Sequence, residues 1–520
     1  MQTAATVLVV LLAVVALVAV LAPRLRVPAP ILLVLAGLGV SLTSGVPRLP
    51  LDPDLILLIF LPPLLYADAF QTSWIDFRRW LRPIAMLAIG LVAMTTLVVG
   101  VVAHWCFPEL PWAACFILGA VVSPTDTVAA QAVIERLHIP RRITAIIGGE
   151  SLVNDATGLV GVQIGVAVAL SGVFTVSGTL MTFSWVAGLG VIVGLAVGML
   201  FAWFNRLLKD TTTLFTVSLL APYVAFLAAH HLQASGVLSV VVSGFFVSWR
   251  INQIPGTARV PLFHTWELLV AVLNGFCFIF IGLEMPHLLG ALKGGGGWPL
   301  AGASLIAGAL ILTRIAWCFP AAYLPLWLSR TLREREQGMP QARHVLLLSW
   351  CGMRGVISLA AALSLPALTL DGTPFPGRDL IVSCTVVVIA TTLVIQGLTL
   401  QPLIHLLGIR ADQQGENEAR AAREAMLTAG IARLDAYCSE VSCPVAVHHL
   451  RQAMSDHLQS LQESDAAERD LAGRRLAVSQ EVQAAVRTAQ ADELLRLRDR
   501  QVITDNTYLA LQLELDRAAI

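Results

Sequence analysis

The sequence predicts an all-α polytopic membrane protein of about 13 transmembrane helices, followed by a cytosolic α-helical tail. Three observations carry that prediction. Of 520 residues, 57% are hydrophobic and only 13% charged, with mean hydropathy +0.76 and no formal net charge. A soluble chain places charge on roughly a quarter of its positions, so a surface wetted on all sides is excluded, and with it a soluble enzyme. Apolar runs near the ~20 residues a helix needs to span a bilayer recur along residues 1–409, whereas residues 410–520 hold 13 Arg, 18 acids and no Lys. Finally, the basic residues between the runs alternate in number from one connection to the next.

Taken in order, the runs fall near 4–22, 28–46, 54–70, 83–106, 111–137, 143–170, 181–208, 211–231, 235–250, 264–291, 298–329, 345–368 and 378–408. The first lacks a basic leader and a small-residue cleavage site, and reads as a retained span. The run 235–250 is short and 298–329 is long enough to contain a break, which leaves 12 or 14 spans as alternatives. Connections after odd-numbered runs carry 16 Lys or Arg, among them Arg78, Arg79, Arg82, Arg141 and Arg142; those after even-numbered runs carry three, Arg48, Lys293 and Arg378. Basic residues collect in cytoplasmic loops, so the N-terminus is expected outside and the tail in the cytoplasm. Balanced charge argues against a nucleic-acid partner. The eight Cys form no secreted-type framework.

Inside the runs, charge is rare. The basic residues there are Arg314 and Arg354; the acids are Asp68, Asp126, Glu150, Asp155, Glu267 and Glu284. A charge at the bilayer centre costs about 3 kcal/mol or more, so each needs a partner or a function. Glu267 and Glu284 sit near opposite ends of one run and read as interfacial.

The fifth run contains Ser123-Pro-Thr-Asp126. Pro124 lacks a backbone donor and disfavours helix at Ser123. A break there frees carbonyls that join Thr125 and the Asp126 carboxylate in a set of oxygens suited to a hard cation; a Pro kink with hydroxyls bonded back to the chain is the alternative. In the sixth run, Gly148-Gly-Glu-Ser-Leu-Val-Asn-Asp155, the pairs Glu150/Asn154 and Ser151/Asp155 are each spaced four apart. They form one polar stripe with two carboxylates, either a site or a hydrogen-bonded packing seam. Gly148, Gly149, Gly158 and Gly161 leave room for a neighbouring helix. The twelfth run carries a second interruption, Gly352-Met-Arg-Gly355. Runs five and twelve are seven apart and therefore antiparallel. If runs 1–6 and 8–13 are inverted repeats, the breaks take equivalent places as crossed discontinuous helices around a midplane site. Arg354 then reads as a structural counter-charge to Glu150.

Leu61-Pro-Pro-Leu-Leu-Tyr66, Ser123-Pro-Thr-Asp126, Gly149-Glu-Ser-Leu-Val-Asn-Asp155 and Gly352-Met-Arg-Gly355 together resemble the motifs of the monovalent cation/proton antiporter family, sodium/proton exchanger type, and its bacterial members in particular. The resemblance spans residues 1 to about 409, which makes that stretch the transmembrane antiporter domain, with core and dimerisation subdomains, and 410–520 a cytoplasmic helical tail. It implies that Asp155 is the essential ion- and proton-binding carboxylate. Asp126 and Thr125 become cation ligands from the crossed unwound helix, Ser151 a further oxygen, and Glu150 with Arg354 the buried ion pair. Asp155 and Asp126 are thus the implied ligands of the monovalent metal ion. Asn154 stands where electrogenic relatives carry a second aspartate, which implies one-for-one, electroneutral exchange. A homodimer in the bacterial inner membrane, serving pH homeostasis, is implied, with no cofactor beyond the transported Na+, or K+ or Li+, and H+. One departure concerns the acid that some relatives carry directly after the Pro-Pro-Leu-Leu-aromatic run: here Ala67 takes that place and the acid is Asp68. One residue turns a helical side chain by about 100°, so Asp68 is either a pathway residue or an interfacial carboxylate.

The expected function is secondary active antiport by alternating access. A buried carboxylate holds a proton or a cation but rarely both, and that competition couples the two fluxes. A cation channel, or a cation-gated sensor signalling through the tail, is the alternative; a channel favours a continuous pore with repeated selectivity elements. Catalysis is not expected, because no embedded His or metal cluster accompanies the carboxylates. The tail reads as soluble helices, a hairpin or a dimerising element. Cys438, Cys443, His448 and His449 fit zinc spacing poorly and read as free thiols and solvated imidazoles. Gly294 to Gly297 reads as a flexible external loop.

Overall fold

The computed structural model describes residues 2–25, 27–42, 53–134, 139–172, 175–208, 210–254, 256–293, 298–336, 338–369, 372–409, 413–440, 445–462 and scattered positions from 486 to 511. The glycine run 294–297 and Cys443 lie outside the described residues. Apart from one isolated antiparallel bridge, Leu368 to Pro374, the ordered elements described are helices.

They run as α1 (Gln2–Leu25), α2 (Ala29–Ser41), α3 (Pro53–Gln71), a short α4 (Trp74–Arg79) and α5 (Leu81–Ala85). A π-helical turn, Met86–Leu91, joins α5 to α6 (Val92–Cys106). Next come α7 (Trp112–Val122), α8 (Thr127–Ile134), α9 (Arg141–Ser171), α10 (Val176–Leu207), α11 (Thr211–His231), α12 (Gly236–Trp249), α13 (Gly256–Lys293) and α14 (Trp298–Leu328). The membrane unit closes with α15 (Arg330–Arg335), α16 (Ala342–Trp350), α17 (Val356–Leu363) and α18 (Arg378–Leu406).

Most apolar runs of the sequence fall on one of these helices; 83–106 covers α5, the π-helical turn and α6, and two others fall on pairs of half-helices, α7/α8 and α16/α17. Among the described residues, seven helices are long and apolar enough to cross a membrane, Arg141–Ser171 and Ser177–Leu207 among them. Shorter apolar helices occupy most of the remaining runs. The run 298–329 is one helix in spite of Pro320 and Pro325, since neighbouring helices can re-satisfy the backbone groups that a proline frees.

Local chemistry sets the helix ends. Proline precedes α2, α7 and α9, while Ser73, Asp210, Ser235 and Ser329 accept a backbone N–H at the start of α4, α11, α12 and α15. Gly172, at φ 70°, ends α9.

Two packing groups result. In one, α10 lies along α12 and α12 against α3; in the other, α6 packs on α7, α7 on α9, and α14 on α6 and α18, with α2 lying along the later part of α13. The first half of α18 is buried on every face, Ile381 through Ile389 without interruption, as a segment enclosed by other helices must be. Lipid gives no hydrophobic drive to helix association, so close contact depends on small residues. A Cβ at Gly158 would stand 2.5 Å from Pro124, and one at Gly161 3.4 Å from Ala120, so the sixth run does lie against the fifth as its glycines suggest.

Residues Met1–Ala411 form one compact unit and Asp412–Ile520 another. In the second, α19 (Gln413–Glu440) packs on α20 (Val445–Gln462), with Arg451 Nε donating to Asp435 at 2.5 Å. Cys438 is disulfide-bonded, which corrects the free-thiol reading: sequence spacing does not report which sulfurs a helical hairpin brings together. Among the described residues, six cysteines are free: Cys106, Cys115, Cys277, Cys318, Cys351 and Cys384. Among the described residues, no group of three or more His, Cys, Asp or Glu side chains is arranged to hold a metal ion.

Candidate functional site

The two interruptions meet. The first half-helix, α7, stops at Val122, and the chain is non-helical from Ser123 to Asp126 before α8 begins. Likewise α16 stops at Trp350 and residues 351–355 are unwound before α17. The Asp126 N–H donates to the Met353 carbonyl at 2.8 Å, fastening one unwound segment to the other. A Cβ at Gly355 would collide with the Asp126 carboxylate, so only glycine allows this approach. These are full breaks, not kinks.

A broken helix exposes a positive and a negative end at membrane depth, and here those ends have charged partners. Asp126 Oδ1 accepts the Val128 N–H at 2.8 Å, capping α8, while Oδ2 lies against Gly355 at the start of α17. One carboxylate therefore caps α8 and lies beside the start of α17. At the negative end of α7, Arg354 Nε donates to the Val122 carbonyl at 2.6 Å, and Nη1 donates to the Gly352 carbonyl at 2.5 Å. At the negative end of α16, Arg314 donates to the Ser349 and Leu348 carbonyls at 3.1 and 3.2 Å.

Arg314 also makes the buried ion pair. Its Nη1 and Nη2 grip Glu150 Oε1 and Oε2, the second contact at 2.8 Å, and both side chains are 1% exposed. The sequence reading gave this place to Arg354, and the structure corrects it. Because α14 packs against α16, Arg314 reaches Glu150 and the freed carbonyls together, whereas Arg354 is turned to Val122. Arg314 was visible as one of two basic residues inside the apolar runs, but no motif around it named a partner.

Along α9 the polar stripe is buried. Ser151 Oγ donates to the Thr125 carbonyl at 3.0 Å, and Asn154 Nδ2 donates to Thr125 Oγ1 at 2.6 Å. Thr125 Oγ1 in turn donates to Glu150 at 3.3 Å, and Thr127 Oγ1 to Ser151 Oγ at 3.5 Å. Glu150, Ser151 and Asn154 thus stitch α9 to the unwound segment. Asp155 is different. It is 2% exposed and its Oδ1 has no hydrogen-bond partner, while Asp126, Asp68 and Glu150 all lie close enough to act on it electrostatically. A bare carboxylate so placed is costly unless a proton or a cation neutralises it. Asp68, partly buried on α3, also lies within electrostatic reach of Asp126. Glu267 stays apart, exposed and paired with His264 at 3.5 Å, and Glu284 is partly buried outside this cluster.

Residues 9–406 match the family model described as sodium/hydrogen exchanger, transmembrane. The chain belongs to the sodium/hydrogen exchanger family. This exchanger-family chain is 34% identical over 524 residues to the uncharacterized Na(+)/H(+) exchanger Rv2287 of Mycobacterium tuberculosis, covering 98% of this chain and 94% of that protein. It is 32% identical over 384 residues to the sodium, potassium, lithium and rubidium/H(+) antiporter of Bacillus subtilis, covering 71% and 56%. In fold it is similar to the sodium proton antiporter MjNhaP1 of Methanocaldococcus jannaschii, with TM-score 0.61, 21% identity and coverage of 78% and 99%. The family is one of secondary transporters, not of catalysts.

Proposed function

We propose that this exchanger-family chain exchanges a monovalent cation for H+ across a bacterial inner membrane by alternating access, with Asp155 holding either the proton or the cation. The observation that carries the reading is the buried, unpartnered Asp155 oxygen beside the crossing of the two broken helices. Its neighbours Glu150, Ser151 and Asn154 are engaged in the seam; Asn154 Oδ1 is also without a hydrogen-bond partner but belongs to a neutral amide, so Asp155 is the group left for an exchangeable charge. Asp126 and Thr125, with Ser151, supply oxygens for the cation and hold the crossing open. Asp68 lines the approach to them.

Competition at one carboxylate couples the fluxes. With Asp155 ionised and empty, moving the core would carry bare charge toward lipid; protonated or cation-bound, the site is nearly neutral, and leak is suppressed. Asn154 brings an amide and no second charge to the site, in keeping with one-for-one, electroneutral exchange. Na+ is the first choice of cation, with K+ and Li+ next; a related antiporter is named for all three ions. No cofactor is needed. A homodimer with the N-terminus outside and the C-terminal unit in the cytoplasm completes the reading, the 16-to-3 division of basic residues supporting the orientation.

Reconstitution in proteoliposomes with a pH-reporting dye tests it. The wild-type chain is expected to dissipate a proton gradient on addition of Na+, K+ or Li+, and Asp155→Asn to lose the response. Full exchange by Asp155→Asn would remove Asp155 from the mechanism.

A further inference from the structure

We infer that the basic cluster around Trp80 is a binding site for the headgroup of an anionic phospholipid. Three guanidiniums, those of Arg79, Arg82 and Arg142, gather where α4, α5 and the first turn of α9 meet, with Arg78 next to Arg79 on α4, and Glu336 is the carboxylate that faces Arg82 and Arg142. Arg82 takes Glu336 in a two-pronged grip, Nε to Oε1 at 2.5 Å and Nη2 to Oε2 at 2.8 Å, and Arg142 Nη2 reaches the same carboxylate at 3.5 Å. Arg141 is matched separately by Asp76 at 2.8 Å. Arg78 and Arg79, both exposed, have no carboxylate partner among the described residues.

Two of these cations converge on one ring. The Arg142 and Arg79 guanidinium carbons stand 4.3 and 5.4 Å from the Trp80 ring centroid, and the indole, buried at 7% exposure, fixes where they gather. Each guanidinium presents a planar fork of N–H donors that suits the oxygens of a phosphate.

The surroundings identify the anion as a lipid. Trp74, Ile75 and Leu81 flank the arginines and are 41%, 79% and 49% exposed, an apolar surface that a soluble anion has no use for and an acyl chain covers. The short helix α4 joins two spanning segments, so the cluster sits at headgroup depth. Clusters of four or more basic residues beside membrane helices attract anionic lipid, each contributing while it stays within a Debye length of the surface.

The experiment measures retained lipid on the purified full chain in neutral detergent by native mass spectrometry, adding phosphatidylglycerol, phosphatidylcholine of the same chain length, or inorganic phosphate. Phosphatidylglycerol is expected to bind preferentially, with affinity falling about fivefold in Arg79→Gln and roughly 30-fold in the double variant Arg78→Gln/Arg79→Gln. Choline chloride should weaken the wild-type preference. Exchange by both variants in phosphatidylcholine liposomes should match wild type, which separates the site from the transport machinery and shows that the variants are folded. Unchanged phosphatidylglycerol retention in the double variant would overturn the inference. So would equal occupancy by inorganic phosphate, which would make the cluster a soluble-anion site.

Discussion

Asp155 and Glu150 are both buried acids of α9, five residues apart, yet their partners set them to opposite tasks. Glu150 is saturated by Arg314, whereas Asp155 keeps an oxygen free. Removing one member of a buried ion pair leaves an uncompensated charge and costs about 3–5 kcal/mol. Glu150→Gln and Arg314→Met are therefore each expected to lower the unfolding temperature in detergent strongly, and the double variant by much less than their sum. The same cycle between Glu150 and Arg354 should be nearer additive, because Arg354 Nε and Nη1 donate to the Val122 and Gly352 carbonyls and its Nη2 has no hydrogen-bond partner; strong coupling there and none to Arg314 would contradict the assignment. Asp155 was legible in the sequence because an acid in an apolar run needs a reason. The choice between the two arginines was not, since it depends on which helix packs beside the α16 break.

The two half-helix pairs hold the site open, and each break has a readable cause: a proline at 124, and glycines on either side of Arg354. How close the segments come was not readable, because a glycine looks alike whether it faces a carboxylate or open space. Gly355 and Gly148 make the contrast testable. A Cβ at Gly355 meets the Asp126 carboxylate, while one at Gly148 meets nothing within 4 Å. Gly355→Ala is expected to force the crossing apart, costing about 1–3 kcal/mol in strain and most of the exchange rate. Gly148→Ala should exchange like wild type. Equal loss in both, measured in proteoliposomes and normalised to folded protein by size-exclusion profile, would contradict the packing described. The π-helical turn at Met86–Leu91 had no sequence signal; there the Met86 carbonyl accepts the Trp317 indole N–H at 3.0 Å, a contact between distant runs.

At the scale of the molecule, alternation of apolar runs with basic connections made the membrane fold legible, because burial in lipid constrains every span at once. The division at Ala411 follows a change in composition that is equally plain. Since the family match lies within residues 9–406, a chain truncated after Ala411 is expected to fold and to exchange cations for protons in proteoliposomes; complete loss of exchange by a monodisperse truncated protein would make the C-terminal unit part of the transport machinery. An electroneutral cycle further predicts that exchange proceeds without net current on a solid-supported membrane, and a sustained substrate-dependent current would exclude it. The central claim is competition between a proton and a cation at Asp155, and its most direct test is proton release from solubilised protein in weak buffer when Na+, K+ or Li+ is added. The account predicts one proton released for each cation bound, and none from Asp155→Asn; cation binding without proton release, or release that persists in Asp155→Asn, would contradict it.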